Sequence, residues 1–335
     1  MSISPAPPNP PVYTAHDVGD LLAAAPVLFG FRPEESFVAV ATHGPRRRLG
    51  FRLRADLPEP DHLDDLAELA ARHLVRQGAD GAVLLAFTAD RTFGEAMALA
   101  AAAALPREVE LVACAWADGE RYWEPLPGHP AVGVPYDASS HAEPVVAAVA
   151  AGQEIVRDRA ALAARFAPCE GPLRSRMVAA TGRAVTAVLA QTSAVARPGL
   201  AEDEVVDAAL SVLDPLLAVG LGEGEQLNDD EAALLSVWLS AEAVRDELWS
   251  RITRESARAW LTMLADVATR VLPPFETPVL TLAGFSAWLA GDGAQAVIAL
   301  ERALRARPED RVTRLLMELI SHGISPDEWD GPPRR

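Results

Sequence analysis

The stretch that decides the fold reads PVLFGFRPEESFVAVAT and covers residues 26–42. Its last seven residues are nearly all apolar, and a run of this length predicts a buried β-strand. A turn at residues 43–46 leads to residues 48–55, where apolar side chains alternate with arginines. Such alternation is typical of a half-buried strand, which we expect to pair antiparallel with the first.

Helical and extended patterns then alternate along the first half of the chain. This order predicts an α/β domain with right-handed crossovers, in which helices pack on a mixed, largely parallel sheet. The predicted elements are a helix capped by Asp61 and ending at Gly78, a strand at 82–87, a helix capped by Asp90 and ending near Pro106, a strand at 109–117 and a hairpin turn at Asp118-Gly119.

The second half of the chain is helical in pattern throughout. Two prolines surround Gly171 in Pro168-Cys169-Glu170-Gly171-Pro172, and they cannot continue a helix. We therefore predict an α/β domain at 14–167 and an all-α domain at 168–335. The proline-rich tail at 1–13 lacks the basic start and apolar segment of a signal peptide, and we expect it to be disordered. Helices are predicted at 172–195, 201–219, 229–250, 254–272, 277–290, 294–307 and 310–322.

The all-α domain ends in one tetratricopeptide-like helix hairpin. A frame at 277–310 fits the spacing of that repeat, with Gly291-Asp292-Gly293 as the turn between its paired helices. About three such repeats are needed for an independent superhelix, so one unit is better explained as a packing hairpin than as a peptide groove. The residues that fit the repeat are Gly284, Ala296, Leu300, Ala303 and Pro308.

Composition excludes several classes of function. The net charge is −17, and this acidic field repels nucleic acids and anionic lipids, so neither is an expected partner. All 30 cationic side chains are arginine, which excludes a Schiff-base lysine, pyridoxal phosphate attachment and a lysine-bearing phosphate loop. Cys114 and Cys169 give no disulfide framework, which favours a reducing cytoplasm.

Polar side chains collect where the predicted strands end. If the strands at 48–55, 82–88 and 109–117 are parallel, their carboxyl ends share one edge, where open α/β sheets bind ligands. The antiparallel first strand begins at the same edge. Carboxylates and arginines there could hold a divalent cation and a phosphate-bearing ligand, and oxygen ligands suit Mg²⁺. The candidate ligand-binding residues are Arg32, Glu34, Glu35, Ser36, Arg54, Asp56, Thr88, Asp90 and Asp118, and Asp56, Asp90 and Asp118 are the candidate metal ligands.

Ordinary structural roles compete with this site. Asp90 can cap a helix, Asp118 can belong to a hairpin turn, and Asp56 can pair with Arg54 or Arg32. No Gly-x-Ser-x-Gly elbow and no zinc-protease signature is present, so no catalytic residue is assigned. Five arginines within residues 46–54 indicate either a docking patch for an acidic partner or a solvated hairpin.

Four stretches carry a family resemblance: residues 26–36, residues 54–58, residues 151–168, and the hairpin turn at 291–293 with the later helix around Leu315-Leu316. Together they resemble the domain of unknown function 4192 family, which is seen in high-GC actinobacteria. The resemblance covers nearly the whole chain. It implies no activity, cofactor or catalytic residue.

Two hypotheses remain. The first is a cytoplasmic, non-catalytic interaction or regulatory protein with a protein partner, which the missing catalytic templates and the helical-repeat character favour. The alternative is a small-molecule binding protein or metal-assisted enzyme at the carboxyl ends of the strands. There Arg32 and Arg54 would hold an anionic ligand and the carboxylates would hold Mg²⁺.

Overall fold

The computed structural model describes residues 14–125, 127–150, 154–195, 202–222, 226–326 and 329. Two compact units make up the chain, Met1–Arg159 and Ala160–Arg335. The predicted domain boundary, between residues 167 and 168, falls slightly later in the chain than this division. The predicted disordered tail at 1–13 lies outside the described residues.

A mixed six-stranded sheet forms the first unit. Its strands are β1 (Ser36–His43), β2 (Arg48–Asp56), β3 (Gly81–Phe87), β4 (Glu110–Ala117), β5 (Arg121–Trp123) and β6 (Val134–Pro135). They lie in the order β2-β1-β3-β4-β5-β6. Only β3 and β4 pair in parallel, and the other neighbours are antiparallel. The expected largely parallel pairing is therefore not found, because β1 lies between β2 and β3 and because β5 and β6 turn back on β4.

Helices pack around this sheet. They are α1 (Val18–Phe29), a short 3₁₀ turn (Pro60–His62), α2 (Leu63–Arg76), α3 (Arg91–Ala104) and α4 (Glu143–Ala150). The pattern analysis did not predict α1, which is capped by Asp17 and ends at Gly30 with φ of 73°. The prediction that Asp61 caps a helix is wrong, because Asp61 lies in the 3₁₀ turn and His62 occupies the N-cap of α2. The predicted cap at Asp90 is confirmed, since its side chain accepts the Phe93 N–H.

The core of the first unit lies between the sheet and two helices. Phe37 and Ala39 of β1 pack with Leu74 of α2, Met97 of α3 and Leu84 of β3, and all five are fully buried or nearly so. Every residue of β3 is buried, as expected for a wholly apolar strand in the centre of a sheet.

The register of the strands confirms that they share one edge. Ser36 at the start of β1 lies opposite Asp56 at the end of β2 and opposite Phe87 at the end of β3. Phe87 lies opposite Ala117 at the end of β4. Because β1 is antiparallel to both neighbours, β2, β3 and β4 run in the same direction. We call this side of the sheet, where Ser36, Asp56, Phe87 and Ala117 lie, the carboxyl edge.

The second unit contains only helices among its described residues. The bounds are α6 (Gly171–Val195), α7 (Glu202–Gly220), α8 (Asp229–Trp238), α9 (Glu242–Ser250), α10 (Ala257–Arg270), α11 (Glu276–Leu289), α12 (Gly293–Ala306) and α13 (Arg311–Ser321), and α5 (Arg159–Ala164) begins at the division between the units. The single helix expected at 229–250 is broken after Trp238. There the Ser240 hydroxyl donates to the Val237 carbonyl at 2.6 Å, a local bond that competes with helix continuation.

Helices α11 and α12 form a hairpin over the predicted frame. Asp292 caps α12 by accepting the Gln295 N–H, and Gly291 makes the turn with φ of 79°. Gly284 allows close approach of the two helices, because a Cβ there would lie 2.7 Å from the Leu300 side chain. Among the described residues, no helix has the length and apolar character needed to cross a membrane.

Candidate functional site

Arg54 contacts two other candidate residues at the carboxyl edge, Ser36 and Asp56. Its guanidinium donates to Ser36 Oγ from Nε at 3.0 Å and from Nη2 at 2.6 Å. It also forms an ion pair with Asp56 at 2.7 Å and lies over the Phe31 ring at 5.6 Å. The Ser36 hydroxyl in turn donates to the Glu34 carbonyl. The predicted pairing of Asp56 with Arg54 is confirmed. These hydrogen bonds and this ion pair of Arg54 thus go to other residues of the same edge, Ser36 and Asp56.

Glu35 and Thr88 form a second group on the same edge. The buried Thr88 hydroxyl donates to both carboxylate oxygens of Glu35, at 2.9 and 3.1 Å, and accepts the Asp90 N–H at 3.2 Å. Glu35 has a φ of 40°, which is rare for a residue with a side chain. Its carbonyl accepts the Leu57 N–H at 3.0 Å, so bonds from β2 and β3 hold Glu35 in place.

Asp118 organises the hairpin turn after β4. Its Oδ1 accepts the N–H groups of Glu120 and Arg121, which confirms the predicted turn role. Its second oxygen lies 3.9 Å from Arg91, and that guanidinium lies 4.2 Å from the centre of the Trp123 ring. Asp118 is therefore occupied by backbone donors and by an exposed arginine.

The side chains of Arg32 and Glu34 interact with residues outside the Arg54 group. Burial raises the pKa of Tyr136 to about 12, Asp118 adds to this rise, and Arg32 opposes it. Arg32 and Asp118 therefore both act on Tyr136. The exposed Glu34 interacts electrostatically with Arg157. The nine candidate residues thus divide among several small groups of contacts along the carboxyl edge.

The predicted metal ligands are not brought together. In the part of the chain that the structure describes, no three His, Cys, Asp or Glu side chains are placed to hold a metal ion. Asp56 pairs with Arg54, Asp90 caps α3, and Asp118 holds its own turn. The Mg²⁺ site expected from Asp56, Asp90 and Asp118 therefore has no geometric support.

A different polar group, which the sequence analysis did not single out, lies in the second unit. Arg302 on α12 is nine-tenths buried and contacts the carbonyls of Phe166 and Ala268 through Nη1. Its Nη2 lies 3.2 Å from Glu276 at the start of α11. A sequence signal did exist, since Arg302 follows Ile298 and Ala299 at helical spacing and so falls on the apolar face of α12.

This arginine lines a cavity of about 520 Å³ that is open to solvent, with exposed residues at its rim (Ala164, Ala167, Pro168, Arg305 and Ala306). We call it the Arg302 cavity. Its charged lining residues are Glu276, Arg302 and Arg305, and its walls are apolar. The wall residues are Ala163, Ala164, Phe166, Ala167, Pro168, Ile298 and Ala306.

Comparison with known proteins gives one match. Residues 19–327 match the family model described as Domain of unknown function (DUF4192). This range includes all four stretches on which the resemblance was based, and the resemblance is confirmed. No curated protein and no solved structure matches the chain.

Proposed function

Because this chain belongs to the DUF4192 family, whose description assigns no activity, we infer its function from its geometry and propose a non-catalytic interaction protein. The surface proposed to bind a partner is strand β2 together with the basic turn before it. The partner proposed is a protein with an acidic, extended segment. The polar groups of the carboxyl edge support a non-catalytic role, because they bond to one another rather than converge on a substrate position.

The observation that carries this proposal is the contrast between the two outer strands of the sheet. Strand β6 has only two residues and one of them is Pro135, features that block pairing with a further strand. Strand β2 has nine residues and no proline, and no described strand pairs with its outer side. A long outer strand of this kind is a template for strand addition by a partner.

Charge indicates the kind of segment that β2 would bind. Arg46 and Arg48 are exposed at its beginning, while Arg47 pairs with Glu110 at 2.5 Å. The chain as a whole carries −17, so this basic patch is a local exception on an acidic protein. Opposite charge steers association and fixes register, which favours an acidic partner over a neutral one.

The helical unit adds a second part to the proposal. We infer that the α11–α12 hairpin is one tetratricopeptide-like unit, supported by the close approach of Gly284 to Leu300. A cytoplasmic location fits the two cysteines, which are both unpaired and buried. An actinobacterial source fits the all-arginine composition, which high-GC codon usage favours.

The alternative, a binding protein or metal-assisted enzyme that takes an anionic ligand with a divalent cation at the carboxyl edge, has weaker support. Arg54 is close enough to the edge to meet an anion, but Ser36 and Asp56 already accept from it. A ligand there would have to displace these partners. For that reason we place this function second.

A peptide-binding experiment tests the interaction proposal. The probe is a fluorescent octapeptide that alternates glutamate with valine, and its partner probe has glutamine in place of glutamate. We expect the glutamate peptide to bind several-fold more tightly, and we expect added salt to weaken its binding because exposed charges are screened. Fluorescence anisotropy gives both affinities.

Two charge-reversal variants locate the surface. Arg46→Glu with Arg48→Glu should abolish binding of the glutamate peptide. Arg311→Glu with Arg314→Glu changes the same charge on exposed positions of α13 and should lose only the small effect of net charge. Equal losses in both variants would show that β2 is not the binding surface. A catalysed reaction abolished by a point substitution would overturn the non-catalytic role.

A further inference from the structure

Arg302 is a mostly buried cation, and the protein does not accept hydrogen bonds from all of its N–H groups. A guanidinium has five N–H donors. Nη1 of Arg302 donates to the Phe166 and Ala268 carbonyls, and Nη2 donates once to Glu276. Within the described ranges no protein acceptor is found for the Nε–H, and Nε is not among the fully buried atoms that lack a partner, so solvent can reach it. Arg302 therefore offers a hydrogen bond at the cavity wall that water or a ligand can accept.

The charges around the cavity define the charge of that ligand. The lining contains two guanidiniums, those of Arg302 and the exposed Arg305, and one carboxylate, that of Glu276, so it carries one excess positive charge. Burial lowers the pKa of Arg302, Glu276 opposes this shift, and the nearby Arg305 reinforces it. One bound negative charge would balance the lining and would offset the repulsion between the two arginines. A doubly charged anion would leave an excess negative charge.

The apolar walls of the cavity indicate the chemistry of the uncharged part of the ligand. Apart from its three charged residues, the cavity is lined by alanine, isoleucine, phenylalanine and proline. Its volume of about 520 Å³ lies within the range of small-molecule sites, which combine apolar walls with a few polar groups that fix orientation. A ligand with an apolar part of several carbons would fit against such walls.

We propose that the Arg302 cavity is a binding site for a small amphipathic monocarboxylate. Its carboxylate accepts hydrogen bonds from Arg302 and Arg305, and its apolar body lies against Ile298 and the alanines. The site is separate from the β2 surface and does not depend on the interaction proposed above.

Isothermal titration calorimetry of the full chain tests this site. The probes are butanoate, hexanoate and octanoate, with 1-hexanol and hexylammonium as matched compounds that lack the negative charge. We expect one binding site per chain, affinity that rises with chain length among the carboxylates, and no saturable binding of hexylammonium. Inorganic phosphate serves as an anion without an apolar body and should bind more weakly than hexanoate.

Three variants tie the binding to the cavity. Arg305→Ala removes one charged donor and should weaken hexanoate about tenfold, the usual effect of losing a hydrogen bond to a charged group. Arg307→Ala removes a nearby exposed arginine that does not line the cavity and should leave the affinity unchanged. Ala306→Phe fills the cavity and should abolish binding, while circular dichroism confirms that it folds.

Several results would overturn the proposal. Absence of saturable binding for the whole carboxylate series would exclude the site. Equal affinity for hexanoate and 1-hexanol would show that the arginines play no part in recognition. Tighter binding of phosphate than of any carboxylate would replace the amphipathic ligand with an inorganic anion. Equal effects of Arg305→Ala and Arg307→Ala would place the binding elsewhere.

Discussion

At the carboxyl edge, the side chain of Arg54 is 12% exposed, but its partner Asp56 is 73% exposed. In the Arg302 cavity, Arg302 and Glu276 are 10% and 15% exposed. Both regions therefore contain an arginine paired with a carboxylate, but only in the second are both side chains largely buried. Residue type alone therefore does not identify a site. The surroundings decide whether an ion pair is a weak surface contact or a largely desolvated one.

The largest expected effect comes from removing the buried cation. Arg302→Ala leaves Glu276 as a buried unpaired carboxylate and leaves the Phe166 and Ala268 carbonyls without their donor. We expect the free energy of unfolding to fall by about 3–5 kcal/mol, the usual loss when one partner of a buried ion pair is removed. Urea denaturation followed by tryptophan fluorescence measures this loss.

A double variant sharpens the interpretation of that loss. Arg302→Met with Glu276→Leu removes both charges and should recover a large part of the stability, because no buried charge is left unpaired. If Arg302→Ala lowers the unfolding free energy by less than about 1 kcal/mol, the pair behaves like a surface contact and the contrast between the two regions fails.

A smaller loss of stability is expected from a change at the contact between α11 and α12. Gly284→Ala places a Cβ 2.7 Å from the Leu300 side chain, so Leu300 or the two helices must shift. Overpacking of this kind destabilises by about 1–3 kcal/mol. Gly182→Ala on α6 is the matched control, since nothing lies within 4 Å of a Cβ there, and it should stabilise by up to about 1 kcal/mol through helix propensity. Thermal melts of the two variants should shift in opposite directions.

The carboxyl edge should respond less than the buried pair. Arg54→Ala removes the donor to Ser36 and the partner of Asp56, but Asp56 is solvated in its absence. We expect a loss of about 1–2 kcal/mol, most of it from the hydrogen bonds to Ser36. Asp56→Ala should cost no more than about 1 kcal/mol, as is usual for an exposed carboxylate. Urea denaturation that shows Asp56→Ala to be the costlier change would contradict this ranking.

The sequence predicted interactions that form between residues close together in the chain. The positions of Asp90 at a helix start and of Asp118 before a glycine predicted their bonds, because caps and turns involve residues two or three positions apart. The shared edge followed from strand direction alone. The partners of Arg302, in contrast, are 26 to 136 residues away in sequence, and no local pattern specifies such contacts. The sequence also predicted too much parallel pairing, because apolar runs do not reveal which strands become neighbours.

The smallest expected effect is that of divalent cations on the carboxyl edge. A cation at a hundred times its dissociation constant would add about 2.7 kcal/mol of stability, enough to raise the melting temperature by several degrees. Because Asp56, Asp90 and Asp118 do not form a metal-binding group, we expect Mg²⁺ and Mn²⁺ to shift the melting temperature no more than Na⁺ at equal ionic strength. Differential scanning fluorimetry measures the shift, and Asp118→Asn is the matched variant. A rise of several degrees that Asp118→Asn abolishes would support the carboxyl edge as a ligand site. The hydrogen bonds and ion pairs described there would then belong to the cation-free protein, and the cation would replace some of them.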